Sequence, residues 1–219
     1  MRDCLLSCAA DCWKYSVIHL VVGGARSGKS RYGESLVRQY TALGFDACFV
    51  ATAQARDAEM TERIVKHQQD RADDGIAWQL IEEPLALTTQ LKHLAKPGRV
   101  ILVDCLTLWL TNQLLACYPE LDEPIPTEGY FAADIATKNT SLDPLISWQN
   151  EKNAFVDSLA ELEGVVILIS NEVGSGIVPL GALSRQFVDE AGWLNQAVAT
   201  LADNVTLVVA GLPLTLKPL

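Results

Sequence analysis

Gly23-Gly24-Ala25-Arg26-Ser27-Gly28-Lys29-Ser30 is the stretch whose reading decides the fold. It fits G-x-x-x-x-G-K-[ST], the phosphate-binding P-loop. Gly23 and Gly28 allow backbone conformations closed to residues with a Cβ, so that successive N–H groups can face one anion. The helix that the loop opens adds partial positive charge at its N-terminus. Lys29 is placed to reach the β/γ-phosphates and the Ser30 hydroxyl to ligate Mg²⁺. Ile18-His19-Leu20-Val21-Val22 before the motif is apolar and β-branched, and Arg31 to Gln39 after it reads as a helix. Strand, loop, helix is the order that the motif needs.

The bulk numbers bound the rest. The chain has 219 residues, of which 49% are hydrophobic and 20% charged, so it holds ample core for one domain with insertions. A net charge of −10 argues against a nucleic-acid surface and offers anionic lipid nothing to attract. No apolar run approaches the ~20 residues that a membrane span requires. Cys48, Cys105 and Cys117 lie in apolar segments and read as buried thiols. Cys4, Cys8 and Cys12 would share one helix face, but no fourth metal ligand stands out. Residues 1–16 precede the nucleotide fold. They are expected to be a poorly ordered extension, or the product of an early start codon, and not a signal peptide. A reducing, cytoplasmic compartment fits.

Along the chain, a helix over about 28–43 is followed by a strand at Ala47–Ala51, with Thr52-Ala53-Gln54 leaving its end. Residues 57–71 form a polar helix. A short strand at Ala77–Ile81 leads to Glu82-Glu83-Pro84, and Leu85–Leu94 is an amphipathic helix. Val100-Ile101-Leu102-Val103-Asp104 has the Walker B pattern: a buried strand delivers one carboxylate beside the P-loop to hold Mg²⁺. Leu106–Cys117 is helical, and residues 118–146, rich in Pro, acids and Ser/Thr, read as a surface insertion. A helix at Trp148–Leu162 precedes a buried strand at Val165–Ile169. Ser170-Asn171-Glu172-Val173-Gly174-Ser175-Gly176-Ile177-Val178-Pro179 then reads as a site loop or an ordinary connection. Residues 181–202 form a long helix, and Val205–Ala210 the last strand. The expected class is α/β: a P-loop NTPase-like domain over 17–219, with a mostly parallel sheet flanked by helices on both faces.

These residues together resemble a known family, the bifunctional adenosylcobinamide kinase/adenosylcobinamide-phosphate guanylyltransferases of cobalamin biosynthesis. The P-loop with Arg31, Ala51-Thr52-Ala53, and Arg63-Ile64 followed by His67 and Arg71 carry the resemblance. So do Trp78 with Glu82, Asp104-Cys105-Leu106-Thr107 with Thr111-Asn112, and the stretch from Ser170 to Pro179. Arg185, Asp189, Gly192, Asn195 and Gln196 complete it. The resemblance runs from about residue 18 to the C-terminus, the 118–146 insertion excepted. It implies two reactions: phosphorylation of adenosylcobinamide by ATP or GTP, then transfer of GMP from GTP through an enzyme histidine to adenosylcobinamide phosphate, giving adenosylcobinamide-GDP. It also implies a homotrimer.

Three histidines are available. His19 lies inside the first strand and reads as a core residue. His93 sits near the end of an amphipathic helix, far along the chain from any motif. His67 has Arg63 at i−4 and Arg71 at i+4, cations suited to a triphosphate, and a neutral imidazole nitrogen is the nucleophile that such a transfer needs. The family's guanylylated histidine aligns at His67. The resemblance also carries GTP contacts to Gly23–Ser30, Ala51, Thr52, Ala53, Gln68, Gln69, Asp70, Arg71, Glu82 and Asp104. Ser30 and Asp104 would hold Mg²⁺. Glu82 could accept from the N1–H and 2-amino group of guanine, or be a surface acid like its neighbour Glu83. Two other readings stay open: a P-loop kinase of another small alcohol with no covalent step, and a regulatory GTPase that transfers nothing.

Overall fold

The computed structural model describes residues 16–54, 62, 75–116 and 144–218. Strand β1 (Val17–Gly23) runs into the P-loop, from which helix α1 (Lys29–Ala42) emerges. Then come β2 (Asp46–Ala51), β3 (Trp78–Glu82), α2 (Leu87–Leu94), β4 (Arg99–Asp104) and α3 (Leu106–Ala116). Helix α4 (Pro144–Leu159), β5 (Val165–Asn171), α5 (Ala182–Leu201), β6 (Asn204–Val209) and β7 (Leu212–Lys217) complete the chain. Helix α4 begins inside the stretch expected to be insertion. Proline suits a first helical turn because its missing N–H has no acceptor there. The rest of the insertion, the 57–71 helix apart from residue 62, and residues 1–15 lie outside the described residues.

The strands form one seven-stranded sheet in the order β3-β2-β4-β5-β1-β6-β7. Every pairing is parallel except β6 with β7. The central strands are continuous apolar runs because both of their faces are covered, and successive side chains go to opposite sides. Leu20, Val22, Ile101, Val103, Val166 and Leu168 pack with α2, α3, α4 and α5. Val21, Val100, Leu102, Val165, Ile167 and Ile169 pack on the other face, where Leu36 and Val37 of α1 meet them. The mostly parallel α/β sheet with helices on both faces is therefore what forms. Among the described residues no helix is long and apolar enough to cross a membrane.

One correction concerns the C-terminus. Val205–Ala210 was expected to be the last strand, yet β7 follows. Ala210 and Gly211 turn the chain with φ of 52° and 80°, the pair of positive values that joins antiparallel strands tightly. Strand β7 is an edge strand with every residue exposed, and Gly211-Leu212-Pro213 reads in sequence as a break.

Candidate active site

Parallel strands place all their carboxyl ends on one edge, where α/β sheets bind ligands. The register brings the expected residues to that edge, with Ala51, Glu82 and Asp104 at one level and Gly23 two residues further along. Gly23 lies opposite Asn171, Ala51 opposite both Glu82 and Asp104, and Asp104 opposite Ile169.

The P-loop is tightly seated. Gly28 has φ 97°, and a Cβ there would sit 3.2 Å from Gly211 Cα. At Gly23 a Cβ would collide with Ser27 Oγ at 2.5 Å and with the Val208 carbonyl at 2.6 Å. A Cβ is thus excluded at Gly23 by Ser27 and the Val208 carbonyl, while Gly28 is favoured by its positive φ, with the β6–β7 hairpin close beside it. The Gly211 N–H donates to the Ser27 carbonyl (2.8 Å), and the Glu172 N–H to the Gly23 carbonyl (3.0 Å). Lys29 is buried, and its Nζ donates to the Gly24 carbonyl across the loop (3.2 Å). Ser30 follows, half-buried, in the first turn of α1.

Asp104 ends β4, half-buried, and is joined to Cys105 by a cis peptide. The Cys105 thiol is pushed up to about 11, chiefly by burial and then by the Asp104 charge, with Lys29 acting weakly the other way. The P-loop lysine is therefore felt at the end of β4, and Cys105 is an inert thiol. Cys48 is buried too.

A buried hydrogen-bond chain holds the strand ends. Thr52 Oγ1 donates to the Cys105 carbonyl (2.7 Å) and accepts from the Cys105 N–H (2.8 Å). Asn112 Nδ2 donates to the Thr52 carbonyl (2.7 Å) and the Pro84 carbonyl (3.1 Å), tying the β2 exit to the β3 exit. Thr107 Oγ1 accepts from Asn171 N–H (3.1 Å) and Nδ2 (2.8 Å), and Asn195 Nδ2 donates to the Asn171 carbonyl (3.3 Å). The sequence marked Thr107, Asn112 and Asn195 only as carriers of a resemblance, and Asn171 also as part of a site loop or an ordinary connection; the structure shows all four as the clamp. Thr52 is wholly buried with its N–H, carbonyl and hydroxyl all engaged, so it shapes the β2 exit. Ala53 follows it, half-exposed.

The structure separates two neighbouring acids that look alike in sequence. Glu83 Oε1 accepts from the Leu85 (3.0 Å) and Ala86 (2.7 Å) N–H groups and turns the chain into α2. Glu82, at the end of β3, is exposed and makes no such bond among the described residues. The histidines separate as well. His19 is buried beside Tyr40, with 2.8 Å between Nε2 and the phenol oxygen. Burial lowers its pKa to about 4, partly offset by Asp203, so its imidazole is neutral and structural. His93 is exposed in the last turn of α2, just before β4 begins, and so at the opposite edge of the sheet. Arg63, His67, Gln68, Gln69, Asp70 and Arg71 lie outside the described residues. Among the described residues no group of three or more His, Cys, Asp or Glu side chains could hold a metal ion.

Helix α5 overshoots the sheet. Asn195 is level with the end of β5, whereas the Asp203 N–H bonds the Ile18 carbonyl near the start of β1. The helix before Asn195 therefore rises about 20 Å beyond the carboxyl edge, at 1.5 Å per residue. It is locked to α4 by Glu190, which is 1% exposed and accepts from Trp148 Nε1 (2.6 Å), Gln149 Nε2 (2.7 Å) and Lys152 Nζ (2.9 Å).

Residues 19–216 match the family model described as cobinamide kinase / cobinamide phosphate guanyltransferase. A bifunctional adenosylcobalamin biosynthesis protein of Pseudomonas aeruginosa is 46% identical over 198 residues, covering 90% of this chain and 96% of that protein. The protein of the same description in Escherichia coli is 34% identical, covering 90% and 98%. Among solved structures, the flagellar accessory protein FlaH of Methanocaldococcus jannaschii is similar at 12% identity with a TM-score of 0.47, covering 99% of this chain and 85% of that one. The fold stands on the sheet order given above and not on that likeness.

Proposed function

The chain belongs to the cobinamide kinase / cobinamide phosphate guanyltransferase family, and from that premise we propose the residues and nucleotides through which it works. In the kinase step, ATP or GTP gives its γ-phosphoryl group to the aminopropanol hydroxyl of adenosylcobinamide. In the second step, a neutral nitrogen of His67 attacks the α-phosphorus of GTP, an N–P bond forms and pyrophosphate leaves. The GMP then passes to adenosylcobinamide phosphate, giving adenosylcobinamide-GDP. The observation that carries this reading is that Ala51, Glu82 and Asp104 share one level on the carboxyl edge from which Gly23, two residues further along the register, enters the P-loop. A nucleotide with its phosphates over the P-loop can extend from Lys29 toward the exposed Glu82 carboxylate, which can accept from the donor edge of guanine.

The N–H groups of residues 24–30 and the Lys29 ammonium neutralise phosphate charge and align the transferring group. Ser30 and Asp104 offer one hydroxyl and one carboxylate oxygen, the hard donors that suit Mg²⁺, which takes few protein ligands beside phosphate oxygens. When bound, that ion supplies charge neutralisation at the β/γ-phosphates. His67 and the contacts at Gln68, Gln69, Asp70 and Arg71 are assigned by the sequence resemblance. We place the enzyme in the cytoplasm, as a homotrimer.

The test is incubation with GTP labelled at the α-phosphate, followed by denaturation. The expected result is acid-labile, alkali-stable label on the protein, absent in His67→Ala. Label persisting in that variant would overturn the nucleophile assignment.

A further inference from the structure

The loop between β5 and α5 leaves the sheet beside the P-loop, with the Glu172 N–H bonded to the Gly23 carbonyl (3.0 Å). From Val173 to Gly181 it carries no charged side chain, in a chain of net charge −10. It nevertheless presents Ile177, Val178 and Leu180 to solvent at 97%, 74% and 98% exposure. Exposed apolar side chains clustered at the mouth of a site mark a contact surface. The loop is also held in shape at both ends. Glu172 Oε1 accepts from the Gly174 N–H (2.8 Å) and Ser175 Oγ (3.3 Å). At the other end Arg185 Nη1 donates to the Pro179 (3.2 Å) and Leu180 carbonyls.

We infer that this loop is the docking surface for the corrin ring of cobinamide. The inference rests on the family's substrate as read above and on no particular histidine. Both of the family's activities act at the end of a short aminopropanol arm attached to the macrocycle. The ring must therefore rest within that arm's reach of the phosphates, which a bound nucleotide places over the P-loop. The loop leaving β5, the strand paired with β1 at Gly23, meets that condition. The chemistry matches as well. The faces of the macrocycle are apolar and its rim carries neutral amides, so it gains contact from Ile177, Val178 and Leu180 without desolvating a charge. The Ser175 oxygen, its proton given to Glu172, can still accept from the rim amides. A loop already pinned at both ends loses little conformational freedom when it is covered.

The experiment is equilibrium dialysis of cobinamide against the full chain without nucleotide, read by corrin absorbance. Ile177→Ser combined with Leu180→Ser should raise the Kd about tenfold or more, the scale of removing apolar contacts from a binding surface, with an unchanged melting temperature. A comparison pair, Leu214→Ser with Leu216→Ser, removes side chains 57% and 55% exposed on β7, away from the loop, and should bind as wild type. Wild-type affinity in the loop variant, or equal weakening in both pairs, would overturn the inference. So would a change of particle mass in sedimentation for the loop variant, which assigns the surface to a second copy of the chain. Labelling of His67 by GTP needs no cobinamide and this binding needs no nucleotide, so either proposal can fail alone.

Discussion

The P-loop and the loop after β5 leave paired strands at the same level, Gly23 opposite Asn171, yet they are built in opposite ways. The P-loop folds back on the protein. Its carbonyls at Gly23, Gly24 and Ser27 accept from Glu172, Lys29 and Gly211, and Gly23 and Gly28 lie close against the β6–β7 hairpin. The β5 loop is pinned only at its ends by Glu172 and Arg185, and it turns apolar side chains outward. The difference follows from what each must hold. An anion is bound by backbone N–H groups fixed at short range, which demands carbonyls tied down and no Cβ in the way. A large ring with apolar faces is bound by area, which demands side chains standing clear of the fold.

The contrast can be broken at its charged side first. Lys29→Ala should lower the kinase turnover by roughly 10²–10³, the scale of removing one preorganised charge from a developing anion. Full kinase activity in that variant would show that the triphosphate acts elsewhere. Gly28→Ala should destabilise the protein by about 1–2 kcal/mol, since alanine is strained at φ 97° and its Cβ crowds Gly211. Thermal melting measures it. Gly211→Ala sharpens the result: its φ is 80° but nothing lies within 4 Å of a Cβ, so it carries the strain without the crowding and should cost less. Equal losses would show that the hairpin contact is incidental. The smallest effect belongs to the other loop. Glu172→Ala removes two local hydrogen bonds and should raise the KM for cobinamide about twofold to fivefold. An unaltered KM would show that the shape of the loop is held without Glu172.

Strands β1, β4 and β5 were legible because a strand covered on both faces must be a run of apolar residues. Strand β7 was not, because an exposed edge strand is under no such demand and its Pro213 reads as a break. In the site, the P-loop and Asp104 were legible from local spacing. The roles of Thr52 and Asn112 were not, since Asn112 bonds the Thr52 carbonyl across 60 positions of chain. His67 is proposed on its two arginine neighbours in sequence and the family resemblance, and lies outside the described residues.

By itself, then, the sequence determined the phosphate loop, the alternation of strands and helices, and the family, since all of these are written in short-range pattern and residue identity. Only the tertiary structure decided that Glu83 folds the turn ahead of α2 while Glu82 stays exposed, and that Gly23 and Gly28 lie against the β6–β7 hairpin. It alone also showed that Asn195 of α5 stands level with the end of β5. Each of these depends on which groups chain closure brings within about 3 Å, and local periodicity carries no information about that.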